Sequence, residues 1–449
     1  MEKDTLHSRN GQDGCQQSEV LADLCYRFGQ PLLEKLSQKL DRRLVQTLLH
    51  LMIVIVIHRH RNHGLLLSEL GGYLLNGEHA PAGTKRIHNL LAHPGWGAQA
   101  IRTYLWQQAD QAVEQRLSPQ DQVYVIWDES VIEKSESLKP ERLCAVRSSK
   151  ARRLKRIKPG YYNPPGGRPI FVPGFNWLQV IVTGMRGTPG LAHLSYWTTR
   201  GEAQTTKRQV EHQVLQQVAK RWGRTVIHIW DRGFAGAPWL GLALLYQVRF
   251  VVRWQKGYNL LAADGRLLKA WQCTRGKRSA DHRLIYDAVR RCERKTGIVY
   301  VPVRVPDFPD VPLTLVVSRP GKGRKPWYLI TNEPVQTVAD AWRIVLAYNR
   351  RWQVEVSIRY SKSELAFESP RLLIWDRREK LLAIAALVQA FLFSLLDADF
   401  ELLRTRLLRQ WCHRTGKRNR SKAVPLYRLR LALSSLWLAF RPLVLPRLN

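Results

Sequence analysis

Four short apolar runs, each closed by turn-forming residues, limit what this chain can fold into: QVYVIWD, IFVPGFNWLQVIVTG, GLAHLSYWTT and TVIHIWD, all between residues 122 and 231. Their length and their β-branched and aromatic content mark them as strands. Between the third and the fourth lies Ala203 to Trp222, polar but with Val210, Val214, Leu215 and Val218 at helical spacing, which predicts a crossover helix. The order strand, strand, strand, helix, strand, helix is that of an α/β core.

Other material flanks this core. Residues 1 to about 18 are polar and read as a frayed end, whereas Leu21 to Leu117 shows helical spacing broken by Gly and Pro. Within it Thr84 to Leu91 (TKRIHNLL) follows a Gly/Pro turn, as the second helix of a DNA-reading pair does; an ordinary amphipathic helix fits equally. A β-rich stretch, Phe250 to Thr331, separates the core strands from a long helix expected to start after Thr337 and to run to about Glu364. It reads as an inserted domain. A further apolar helix is expected from Arg377 to Leu396, and Arg404 to Arg447 is basic without a single acidic residue.

Charge indicates the partner. Seventy-one Lys and Arg against 36 Asp and Glu leave a formal charge of +35, which calls for a polyanion, with nucleic acid first. The segment Arg147 to Lys158 (RSSKARRLKRIK) supplies salt-sensitive affinity for phosphates, or is a solvated linker. No membrane is expected, because the most apolar run, Val45 to Ile57, is too short to span a bilayer and reads as a buried helix. Neither a secretory signal nor a CxxC pair is visible, so a cytoplasmic, nucleoid-associated protein with reduced cysteines is expected.

Two of the strands end in the same dipeptide, Trp-Asp, at Asp128 and Asp231. An Asp at such a place also serves as a turn or cap residue, and Asp231 could simply cap the helix expected near Ala235 to Leu245. If the two strands are neighbours, however, their carboxylates lie side by side, and like charges that close need a cation between them. A third constellation is Tyr348, Arg351, Glu355 and Lys362 in YNRRWQVEVSIRYSK. On one continuous helix these four fall within about 60° of one another. The stripe suits a solvated salt-bridge row, and equally a carboxylate flanked by phosphate-binding cations for metal-assisted phosphoryl transfer.

Together these motifs resemble the DDE transposases of bacterial insertion sequences, in particular the subgroup with the signature Y-x2-R-x3-E-x6-K, matched without a gap by Tyr348, Arg351, Glu355 and Lys362. WDESVIEK, with Lys134, is similar to the first acidic block of that family, although Ser130 stands where Thr is commoner; IWDRGFAG, with Arg232, is a usual form of the second. The similarity spans residues 80 to about 397. It implies a ribonuclease H-like catalytic core (119–249 and 332–397) with an inserted β domain (250–331); helical pattern and charge add a helical DNA-binding region (1–118) and a basic helical C-terminal region (398–449).

It also implies the chemistry. Asp128, Asp231 and Glu355 would hold two Mg2+ (or Mn2+) ions, Arg351, Tyr348 and Lys362 would grip phosphates, and Lys134 and Arg232 would contact DNA. Trp327 falls where members of the subgroup stack a Trp on a base flipped from the transposon end; packing on a strand explains it as well. The expected partners are double-stranded DNA, as transposon ends and target, and a second copy of the chain. Two rivals keep the DNA: a ribonuclease H-like nuclease that cuts without joining, and an inactive relic that occupies DNA ends as a repressor.

Overall fold

The computed structural model describes residues 2–117, 121–134, 139–148, 169–287, 292–321, 323–413 and 426–442. The basic segment 149–158 and much of 404–447 therefore lie outside the described residues.

The N-terminal part is helical: α1 (Glu2–Ser37), α2 (Arg42–Ile57), α3 (Leu67–Leu74), α4 (Ala80–Ala92) and α5 (Ala98–Arg116). Asp41 caps α2, and the apolar run from Val45 to Ile57 is buried within it, apart from the half-buried Gln46 and His50. Helix α3 crosses α4 through two glycines, since a Cβ on Gly83 would lie 2.2 Å from the Gly71 carbonyl oxygen. Thr84 sits inside α4 rather than at its cap, and its hydroxyl donates back to the Ala80 carbonyl at 2.8 Å. Lys85, Arg86, His88 and Asn89 remain exposed on that helix, while Ile87, Leu90 and Leu91 are buried.

The strands and helices that follow are β1 (Val123–Glu133), β2 (Cys144–Arg147), β3 (Phe171–Thr183), β4 (Gly190–Trp197), α6 (Lys207–Trp222), β5 (Val226–Trp230) and α7 (Ala237–Leu245). Then come β6 (Arg249–Arg253), β7 (Asn259–Ala262), β8 (Leu267–Lys269), β9 (Asp281–Asp287), β10 (Cys292–Val305), β11 (Phe308–Arg319) and β12 (Trp327–Thr331). The C-terminal part holds α8 (Val338–Asn349), α9 (Trp352–Ser363), α10 (Trp375–Ser394), α11 (Glu401–Trp411) and α12 (Leu426–Ala439).

One twelve-stranded sheet runs through the chain in the order β2-β3-β1-β5-β6-β12-β11-β10-β7-β8, with β4 also on β3 and β9 also on β10. Strand β1 is antiparallel to β3 but parallel to β5, and β5 is parallel to β6. The crossover is α6, started by a capping box between Thr206 and Gln209. Strands of the segment 250–331 do not form a separate sheet. They continue the core edge to edge, because β6 pairs with β12 through Val252 and Ile330.

Alternation along β1 sorts the sheet into two faces. Tyr124 and Ile126 pack with residues of α2, α5, α8, α9 and α10, whereas Val123, Val125 and Trp127 pack with α6 and α7. In β5, Ile227 and Ile229 follow the first set and Val226 and Trp230 the second.

Three expectations are corrected here. The polar N-terminus is helical from Glu2, and C-terminal elements supply partners near residue 18: Ser18 donates to the Phe440 carbonyl at 2.6 Å, and the Trp411 indole donates to Gln17 at 2.9 Å. Strand β1 extends to Glu133, so Asp128 is mid-strand rather than terminal. The long helix after Thr337 is two helices, α8 and α9, with turn geometry at Arg350 and Arg351 where bonding tightens to Arg351 N–Tyr348 O and Val354 N–Arg351 O.

Gly174 of β3 is wedged between β1 and β2: a Cβ there would lie 2.3 Å from the Ile132 carbonyl oxygen and 2.6 Å from Val146. Gly174→Ala is therefore expected to destabilise the protein by about 1–3 kcal/mol, read from denaturant unfolding. A change below the error of that measurement would show that the two strands part freely.

Candidate active site

The parallel ladder between β1 and β5 pairs Val123 with Val226 and ends at Ile126 with Ile229. Two residues further on stand Asp128 and Asp231, so the repeated Ile-Trp-Asp triplets lie in register. Adjacent strands are about 4.8 Å apart. Both aspartates share the parity of Ile126 and Ile229, which directs them to the helical face of the sheet. There β5 ends: Asp231 accepts a hydrogen bond from the Gly233 amide at 2.6 Å and turns the chain away. Strand β1 runs on, held by β3, and Gln179 stands directly opposite Asp128.

Helix α9 lies across this face, in contact with β1 and β3, and carries Glu355 one turn in from its start. Arg351, at the break between α8 and α9, forms an ion pair with Glu355 and reaches Asp128 at 3.8 Å. One guanidinium thus spans two of the three carboxylates. It also lies 5.8 Å from the centre of the Tyr348 ring.

Electrostatics follow from this crowding. Burial pushes the Asp128 carboxyl up to about 7, and Asp231 and Glu355 add to the shift while Arg351 pulls the other way. Burial likewise works against the charge on Arg351, but Tyr348, Glu355 and Asp128 outweigh it and hold the guanidinium more firmly protonated than free arginine. Burial raises Glu129, on the other face of β1, against the pull of its ion-pair partner Lys207, whose ammonium also lies 3.5 Å from the fully buried Glu211.

Beside Glu355 opens a cavity of about 440 Å3, lined among others by Arg253, Arg294, Lys325, Trp327, Tyr348 and Arg351. Trp327 meets Tyr348 edge to face at 5.1 Å, so its ring is both packed and part of the cavity wall. Burial raises the Tyr348 phenol above its ordinary range.

The remaining sequence candidates fall in different places. Lys362 lies at the far end of α9, 3.7 Å from Glu368, and Arg232 is exposed in the turn after Asp231. Lys134 does not join them. It is buried, and its ammonium donates to the carbonyls of Glu368 and Pro370. Gln179, Arg253 and Lys207 escaped the sequence reading. Gln179 left one signal, a lone amide inside the apolar run NWLQVIVT; it is wholly buried, with neither amide atom hydrogen-bonded.

Carboxylate oxygens suit a hard divalent cation. Yet among the described residues no three His, Cys, Asp or Glu side chains are grouped so as to hold a metal ion. With Arg351 spanning Asp128 and Glu355, the arrangement does not fit the ions that the sequence led one to expect.

Comparison with known proteins bears on this set. Residues 178–391 match the family model described as Transposase DDE domain. The transposase DDE match begins in β3 and ends within α10; it includes Asp231, Trp327, Tyr348, Arg351, Glu355 and Lys362, and leaves Asp128 upstream. A solved structure, the cryo-EM structure of piggyBac transposase synaptic complex with hairpin DNA, superposes with a TM-score of 0.40 at 14% identity, covering 89% of this chain and 72% of that one. Among the described residues no single helix is long and apolar enough to cross a membrane.

A raised carboxyl binds its proton more tightly folded than unfolded, so Asp128 costs stability as pH rises from about 4 toward 7 and beyond. Asp128→Asn is therefore expected to raise the melting temperature at pH 8 and to leave it unchanged at pH 4. A variant less stable than wild type at pH 8 would mean that Arg351 dominates the charge on Asp128.

Proposed function

We propose that this chain is a DDE-type DNA transposase that cuts DNA at the ends of an insertion sequence and joins those ends to target DNA. The observation that carries this reading is the in-register pair Asp128 and Asp231, facing Glu355 across Arg351, with the transposase DDE match over 178–391 in support. Phosphodiester exchange by in-line displacement needs no nucleophile from the protein, only groups that orient the backbone and stabilise charge.

Each group then has a role. Arg351, Lys362 and Arg232 hold phosphates next to the scissile bond, and Arg351 suits a bidentate grip better than a lysine would. Tyr348 and Trp327 offer aromatic surface to an unstacked base in the cavity beside Glu355. Asp128, Asp231 and Glu355 are the carboxylates that the transposase reading would assign to Mg2+ or Mn2+. The net charge of +35 supplies the attraction for double-stranded DNA. Residues 1–80 and 400–449 are assigned to end binding and contacts between protomers, and an active homodimer is the expected state because two ends must meet.

The test is cleavage and joining on a supercoiled plasmid carrying the element's own ends. Wild type should yield joined products with Mg2+, and Glu355→Gln should lose them by on the order of a thousandfold while DNA affinity persists. Tight binding without any cut, under Mg2+ or Mn2+, would promote the repressor reading; cuts without joints would promote the nuclease. Trp327→Ala should weaken binding to those ends by about 1–3 kcal/mol and leave affinity for unrelated duplex unchanged, both read by fluorescence anisotropy. Equal loss on both DNAs would assign Trp327 to packing alone.

A further inference from the structure

Strand β4 pairs with β3 alone, so among the described residues no strand covers its other edge. Around it, between α5, α6 and the start of α10, opens a cavity of about 920 Å3 that shares no lining residue with the one beside Glu355. We propose that this cavity binds a nucleobase, a flat uncharged ring that presents hydrogen-bond donors and acceptors side by side. The inference stands apart from the transposase reading, since it concerns other residues and needs no cleavage.

The unusual feature is the second half of β4. His193, Tyr196 and Trp197 are between 6 and 9% exposed, and Ser195 is half-buried between them. Both ring nitrogens of His193, the hydroxyls of Ser195 and Tyr196, and the indole nitrogen of Trp197 make no hydrogen bond within the protein. A buried donor or acceptor left without a partner costs about 1–3 kcal/mol. Unpartnered indoles also occur at Trp127, Trp230 and Trp239, but those pack against one another in an aromatic cluster, whereas the four residues of β4 all line the cavity. Five such atoms on one short strand mark a surface that a ligand completes.

Charge and geometry narrow the ligand. In a chain of +35 the lining is nearly balanced: Arg102 pairs with Glu379 at 2.7 Å, and Arg142 lies over the Trp375 ring at 5.5 Å. Glu379 is the one carboxylate among the described lining residues, so a cationic ligand finds no free counter-charge. The exposed walls are instead amides, Gln99 on α5 with Gln213, Gln216 and Gln217 on α6, which both donate and accept. Burial and the nearby Arg102 lower the His193 pKa to about 3, so its neutral ring likewise offers one donor and one acceptor. A peptide added as a strand would pair with backbone, yet the open atoms belong to side chains, which stand out of the sheet plane. A base meets both demands: its edge alternates donors and acceptors, and its faces stack on aromatic rings such as those of Trp106 and Trp197. The volume falls within the roughly 300–1,000 Å3 of small-ligand sites.

The test uses nucleosides, which carry no phosphate, so the basic surface of the chain does not retain them. The full chain is dialysed to equilibrium against labelled adenosine, guanosine, cytidine and thymidine. At least one should bind with a Kd on the order of 0.1 mM. His193→Leu and Tyr196→Phe should each weaken it about tenfold and leave the melting temperature unchanged or raised, because each removes buried polar atoms that have no partner in the protein. Gln213→Ala, on the exposed wall, leaves the core intact and should weaken binding about threefold. A duplex with one unpaired base then competes with the bound nucleoside, beside a fully paired duplex of equal length. Displacement by the first alone assigns the site to bases in DNA; displacement by neither assigns it to free nucleosides. The proposal is overturned if no nucleoside binds at millimolar concentration, if binding survives all three substitutions, if it is lost instead in Trp327→Ala, or if both duplexes displace the nucleoside equally.

Discussion

The parallel pairing of β1 with β5 is the constraint on which the rest depends. Because side chains alternate along a strand, a shift of one residue in that ladder would send Asp128 and Asp231 to opposite faces of the sheet. Register is fixed by what surrounds it: Ile126 and Ile229 pack into the helical layer, and Trp127 and Trp230 into the layer of α6 and α7. The two tryptophans meet edge to face at 6.4 Å and are fully buried. A slip would expose large apolar side chains to the wrong partners, so the same hydrophobic pattern that stabilises the sheet also holds two like charges together.

Much of this was legible in the sequence because strand order and the crossover depend on local pattern. QVYVIWD and TVIHIWD marked their own strands, and Val210, Val214, Leu215 and Val218 marked α6. The bounds of β1 were not legible, since Glu129 and Ser130 directly after Asp128 are polar and the strand runs on through them only because β3 pairs with it through Glu133. For the same reason the polar first residues read as frayed. Gln17 and Ser18 meet their partners, Trp411 and Phe440, some four hundred residues away.

The candidate site was legible in its residue types and less so in its arrangement. Tyr348, Arg351, Glu355 and Lys362 were expected on one stripe of one helix, yet the backbone breaks at Arg350 and Arg351. Arg350 is drawn aside by the Thr183 hydroxyl at 2.8 Å and the Gly187 carbonyl at 2.7 Å. Spacing alone does not foresee such a tertiary pull. Nor does it distinguish Lys134, whose short-range context resembles a phosphate ligand, from a buried ammonium that ties β1 to the loop before α10. Gln179 is the converse case, a residue made notable only by standing across from Asp128.

The continuity of the sheet has one more consequence. Strand β5 leads to Asp231, β6 lies next to it, and β12, with Trp327 at its start, lies next to β6. The wall of the cavity and the strands that present the carboxylates belong to a single hydrogen-bonded ladder with no hinge between them. Under the transposase reading such a ladder acts as a ruler. The interval between a base seated against Trp327 and the bond presented to Asp128 and Asp231 is set by strand spacing, not by loop conformation, so the position of the cut would be measured from the recognised end in fixed steps of backbone geometry.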